Sequence, residues 1–234
     1  MVFEEPNKKS FPIPFQNKSR LSYYASLFNS LEINSSFYKI PKFQTYSKWR
    51  TEVPAGFCFT VKLWQGITHV DRFQDADLVK FMTAIGGLGD KKACILIQFP
   101  ALSTTLLQER ERLLKNIQQL NNGWRLAIEI RNPDWLTSSF YSVLEFYNAS
   151  LVYHDMKKAD MLSLNSPASF RYLRFHGPEG NYKGTYTDHF LLQQAQRIRK
   201  WTEQRKDVYV YFNNTLGDAL ANLKRLRAII ASHN

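Results

Sequence analysis

Cysteine is scarce: Cys58 and Cys94 are the only two in 234 residues. Two thiols make no disulfide framework, and no zinc-type spacing of His and Cys accompanies them, so reduced core thiols and no metal site are expected. Long apolar runs are missing as well. No stretch approaches the roughly 18 apolar residues of a membrane span, and the opening MVFEEPNKKS has no apolar secretion core, so a cytoplasmic protein is expected. Neither a GxGxxG fingerprint nor a P-loop occurs, and no cofactor is expected. Gly/Ser-rich linkers, repeats and low-complexity tracts are absent too, which points to one domain over residues 1–234 with an irregular segment over 1–20. Acidic residues are outnumbered, 20 against 31 Lys and Arg, giving a net charge of +11. Such a charge attracts nucleic acid, phosphorylated metabolites or acidic surfaces. From Leu191 onward eight Lys and Arg stand against three acidic residues on two predicted helices, where a solvated helix face is the plain alternative.

What the chain does have is apolar content of 44% and aromatic content of 15%, enough for a full core. Helical periodicity and short alternating runs take turns along it. Predicted strands are 31–34, 57–62, 93–98, 125–131, 150–154, 170–175 and 207–212. Helices carry Leu21 to Phe28, Phe43 to Glu52, Leu78 to Ile85, Leu106 to Leu120 (opened by a Thr105/Gln108 capping box), Phe140 to Tyr147, Phe190 to Gln204 and Leu216 to Ile230. Seven strands separated by helices imply parallel pairing, in a doubly wound sheet or a closed barrel. The side-chain faces decide between them. Leu126, Ile128 and Ile130 alternate with Ala127, Glu129 and Arg131; Leu173 and Phe175 alternate with Tyr172, Arg174 and His176; the other strands repeat the pattern. Helices on both sides of an open sheet would bury one polar face in strand after strand, at several kcal/mol per unpaired group. A TIM-like β/α barrel removes the conflict, because its inner face is polar near the C-terminal mouth.

That reading directs Glu32, Asn34, Lys62, Gln98, Glu129, Arg131, Arg174, His176, Tyr211, Asn213 and Asp155 to the mouth, with His154 as the alternative to Asp155 by strand parity. The segments LEINSSFYKIP, PAGFCFTVKLWQGITH, CILIQFP, AIEIRNPDW, FRYLRFHG with NYKGTY, and VYVYFNNTLGDA occur in order between about Leu21 and Leu226. Together they resemble the YecE-like family, also called domain of unknown function family 72. The resemblance implies a TIM-like β/α barrel and leaves the chemistry open. Members of that family usually begin with a strand bearing a Gly-Thr-Ser-Gly-Trp-like motif, and nothing in MVFEEPNKKSFPIPFQ matches it, so the first barrel strand is expected to be missing.

Glu32 and Glu129 could form an acid and base pair, or an ion-pair network with Lys62, Arg131 and Arg174. Lys62 could form a Schiff base, or serve as a charge partner. His176 could be a general base, or orient the next loop. Arg131 and Arg174 offer rigid donor forks suited to phosphate or carboxylate. The segment HGPEGNYKGTY follows the strand with Arg174, and Asn213-Asn214-Thr215 is expected to open the last helix, where barrels of this type often hold phosphate. The catalytic candidates are therefore Glu32, Glu129, His176 and Lys62. The substrate-binding candidates are Asn34, Gln98, Arg131, Asp155, Arg174, Tyr211 and Asn213. An enzyme acting on a small anionic or phosphorylated molecule by acid and base chemistry is the leading expectation. A nucleic-acid binding or processing protein and a non-catalytic anion-binding protein are the alternatives.

Overall fold

The computed structural model describes residues 3–5, 7–100, 107–156 and 166–232. The Thr105 of the expected capping box lies outside them. Among the described residues there are seven strands, all but the fifth followed by a helix before the next element of the sheet or the end of the chain, each observed strand pair is parallel, and the fold class is α/β of the TIM-like barrel type. The chain divides into two compact units, Phe3–Leu126 and Ala127 onward.

In the first unit, the described residues before α1 (Arg20–Leu27) hold two 3-10 turns, Lys8–Ser10 and Ile13–Phe15, and no strand. Aromatic packing holds this segment down: the rings of Phe3, Phe11 and Phe15 lie 5.5, 4.3 and 5.3 Å from that of Tyr23. Ser19 caps α1 by accepting from the Ser22 N–H at 3.0 Å, and its hydroxyl donates to Glu52 at 2.8 Å just past α2 (Phe43–Thr51). Strands β1 (Ser30–Ile33), β2 (Cys58–Lys62) and β3 (Lys92–Gln98) follow in parallel. The register sets Ile33 beside Val61 and Val61 beside Ile95, an apolar row, while Lys62 lies beside Leu96 on the opposite parity. A short helix α3 (Gln65–Thr68) precedes α4 (Asp75–Ile85), which buries Leu78, Phe81 and Ile85. Helix α5 (Leu107–Leu120) leads to β4 (Arg125–Glu129).

The second unit takes β4 from Ala127, then α6 (Ser138–Phe146), β5 (Ser150–His154), β6 (Phe170–Phe175), α7 (Asp188–Glu203), β7 (Asp207–Phe212) and α8 (Ala219–Ala231). One sheet face is covered by helices. Tyr153, Leu173 and Phe175 cluster there with Leu191, Ala195, Ile198 and Trp201 of α7 and with Leu226 and Ile229 of α8, and Val208, Val210 and Phe212 pack against them. Burying side chains of this size stabilises by about 1.5–3 kcal/mol each. The opposite face carries the polar residues, because the register aligns His154 with Arg174 and Arg174 with Tyr211. The parity of β5 is thereby settled. Tyr153 points to the helices, His154 shares the row of Arg174, and Asp155 lies one residue past the strand.

The last helix differs from expectation. It begins at Ala219 after an Asp218 cap rather than at Leu216, which is 72% exposed.

Candidate functional site

The sequence candidates fall into two groups, one in each unit. In the first, Asn34 Nδ2 donates to Glu32 Oε1 at 2.9 Å, and Lys62 Nζ donates to Gln98 Oε1 at 2.6 Å. The Lys62 ammonium also lies 3.9 Å over the Phe37 ring, a cation–π geometry. Ser36, unremarked in the sequence, fixes the backbone here by donating to the carbonyls of Ile33 at 2.9 Å and Lys62 at 2.6 Å. These contacts give Lys62 and Gln98 fixed positions in a buried setting.

The second group holds more charge. Glu129 ends β4 and is fully buried, at 0% exposure. Its Oε1 accepts from Arg131 Nε at 2.9 Å, and its Oε2 accepts from Arg174 Nη1. Burial alone would raise the Glu129 carboxyl; Arg174, His154, Arg131 and His176 outweigh it and hold it well below the usual range. At neutral pH Glu129 is therefore a carboxylate counter-ion with no proton to give. Arg174 is 3% exposed, whereas the Arg131 side chain keeps 23% of its surface open. Arg131 is anchored only through Nε: neither of its Nη groups meets a hydrogen-bond partner among the described residues.

The two histidines differ. His154 Nε2 lies 2.9 Å from the Ile130 carbonyl, which can only accept, and the Met156 N–H donates to His154 Nδ1 at 3.3 Å. Both ring nitrogens are thus used by backbone, the proton sits on Nε2, and burial, opposed by Glu129, lowers the pKa of the ring. His176 makes side-chain contacts instead. Arg174 Nη1 lies 3.3 Å from its Nε2, and since a guanidinium has no acceptor, that nitrogen accepts. The ring proton then sits on Nδ1, facing Asp155 Oδ1 at 3.3 Å. Asp155 also accepts from the His176 backbone N–H at 2.8 Å and from the Tyr186 hydroxyl, which in turn accepts from the Gly177 N–H at 2.6 Å. Burial, then the bond to Asp155, raises the Tyr186 phenol, so it stays protonated and donates. Nothing local in the sequence marks Tyr186, which lies 31 residues from Asp155.

The loops after β6 and β7 are stitched together. Leu216 N–H donates to the Tyr182 carbonyl at 3.1 Å, Asp218 N–H to the Gly184 carbonyl at 3.3 Å, and Asn214 Nδ2 to the same carbonyl at 2.9 Å. Gly217 N–H is taken by the Asn214 carbonyl at 2.9 Å. The backbone donors of Asn213, Leu216, Gly217 and Asp218 are thus spent within these loops. Side-chain donors remain. Asn213, one step beyond the Phe175 and Phe212 pair, has its Nδ2 buried with no partner among the described residues. Tyr211 sits beside Arg174 in register, its ring 5.3 Å from that of Tyr172. Among the described residues no three His, Cys, Asp or Glu side chains gather as a metal shell.

The family description "Protein of unknown function DUF72" matches residues 3–234. The chain belongs to the DUF72 family. It is 27% identical to the UPF0759 protein YunF of Bacillus subtilis, across 94% of this chain and 89% of that one. With the UPF0759 protein YecE of Escherichia coli K12 it shares 26% identity across 49% of this chain and 42% of that one. Two crystal structures are similar. A DUF72 family protein of Enterococcus faecalis, 21% identical, superposes with a TM-score of 0.80 over 91% of this chain and 88% of that one. One from Thermotoga maritima, 23% identical, gives 0.73 over 90% and 88%. At these identities the likeness shows a shared fold.

Proposed function

We propose that this DUF72 protein is an enzyme that acts on a small anionic or phosphorylated molecule by acid and base chemistry, using the second unit's charged group. Arg131 carries the proposal: its Nε is fixed on a buried carboxylate, and both Nη groups are unpartnered among the described residues on a partly open side chain. A guanidinium held this way is preorganised for an oxyanion, because the entropy of placing the fork has already been lost in folding. Arg131 and Arg174 both donate to the Glu129 carboxylate, which fixes the two guanidiniums side by side. Asn213 Nδ2 is a second donor lacking an acceptor among the described residues.

His176 is the proton acceptor in this reading. Asp155 holds its Nδ1–H, which directs the Nε2 lone pair to the Arg174 side, where the contact of 3.3 Å is long enough to yield to a substrate proton. An imidazolium formed there would be stabilised by Asp155. Glu129 serves as counter-ion, a role its depressed pKa favours over proton transfer. Lys62, Gln98, Glu32 and Asn34 form the first unit's candidate polar set. The test is a turnover screen over phosphomonoesters and small carboxylates, with wild type and His176→Gln compared on any hit. His176→Gln should lower turnover by roughly 10²–10⁴-fold while anion binding persists. Binding without turnover in wild type would leave a non-catalytic anion-binding protein, and equal turnover in the variant would remove His176 as the base.

A further inference from the structure

Tyr182 is a bulky residue in the left-handed backbone region, at φ 67°. Glycine takes that conformation freely and Asn or Asp tolerate it, whereas tyrosine there is strained. The strain is held by neighbours. The Tyr182 N–H donates to the His176 carbonyl at 2.6 Å, its carbonyl accepts from Leu216, and Gly177 at φ 103° packs so closely on Lys183 that any Cβ would overlap the Lys183 carbonyl. This fixed backbone places the ring edge-to-face with His176, centroids 5.4 Å apart. His176 is the one ring it meets among the described residues, and Tyr182 keeps 39% of its surface open. Its hydroxyl has no partner among them either. The ring therefore contributes little burial to offset a strained backbone. Strain retained beside the proposed base points to use by a ligand.

We infer that Tyr182 is a specificity-determining residue, a platform on which a flat aromatic part of the anionic substrate stacks while its charge lies toward Arg131. The inference rests on the reading of the anion site given above. It names the substrate class as an aryl or heteroaryl phosphate or carboxylate, in preference to a purely aliphatic one. Offset stacking on a tyrosine ring corresponds to about a tenfold gain in affinity. Leu216, exposed, is joined to Tyr182 through its backbone.

The experiment measures binding of phenyl phosphate and methyl phosphate by calorimetry to wild type, Tyr182→Phe and Tyr182→Asn. Both esters carry the same charged group, so their ratio isolates the ring. Wild type and Tyr182→Phe should bind phenyl phosphate about tenfold tighter, and in Tyr182→Asn the two should bind within about twofold of each other. Asn suits the left-handed backbone, so the melting temperature of Tyr182→Asn should equal or exceed that of wild type. A ratio near one in wild type, or a preference surviving in Tyr182→Asn, overturns the inference while leaving the anion site standing. Binding of neither ester to wild type defeats the anion site and the inference with it. If Tyr182→Asn melts lower and loses both esters, the ring is structural and the inference is overturned.

Discussion

Arg131 and Arg174 hold the two oxygens of one carboxylate, yet they should answer differently to removal. Arg174 is buried, so Arg174→Ala leaves the Glu129 charge without its main partner and should destabilise by about 3–5 kcal/mol, read from urea unfolding. Arg131→Gln removes a partly exposed partner and should cost less than about 1.5 kcal/mol. It is therefore the cleaner probe of binding. The pH dependence follows from two neighbouring groups. Burial depresses the folded pKa of His154, so its neutral form is favoured in the native state. That contribution is complete above the unfolded value of about 6.5 and is lost as the pH falls below it toward the folded value. Glu129 is depressed too, so its contribution is present above about pH 4.3 and fades as acid protonates it. Unfolding midpoints at pH 5, 6 and 7 should decline toward acid in wild type, and His154→Gln should flatten that slope. An unchanged slope would show that His154 is not the group responsible.

The loop after β6 shows what one element contributes to the site. Gly177 combines positive φ with backbone contact on the Lys183 carbonyl, so Gly177→Ala should destabilise by about 1–3 kcal/mol and speed hydrogen exchange of the Tyr182 N–H, which is bonded to the residue before it. Exchange as slow as in wild type would mean that the loop does not depend on that turn. Strand faces were legible in the sequence because a period of two survives any packing: Leu173 and Phe175 on one side, Arg174 and His176 on the other, as observed. The run Ser150–His154 carried no such alternation, and only its register with β6 places His154. Tyr186 was invisible for another reason, since its bond to Asp155 joins residues that no periodicity connects. Leu216 fits the apolar period of the last helix, but Gly217 and Asp218 carry a turn and a cap signal that places the helix start at Ala219.

At the scale of the whole molecule, the net charge of +11 is the property most open to misreading. No helix among the described residues is long and apolar enough to cross a membrane. Much of the excess basic charge stands on and around α7 and α8, away in sequence from Arg131 and Arg174, and some of it is already paired, as Arg225 is with Asp188 at 2.6 Å. Retention on duplex DNA should therefore fall steeply between about 50 and 200 mM salt and be the same for Arg131→Gln as for wild type. Retention that drops with Arg131→Gln would bring nucleic acid into the site itself. For the anion site the deciding measurement is a thermal melt series in inorganic phosphate at fixed ionic strength, with wild type beside Arg131→Gln. A ligand that binds only the folded state, at about 100 times its dissociation constant, stabilises by roughly 2.7 kcal/mol, a shift of several degrees for a chain of this size. Wild type should show a saturating rise of that order, and Arg131→Gln should show little or none. No rise in wild type, or an equal rise in both, would mean that Arg131 and Arg174 only neutralise Glu129.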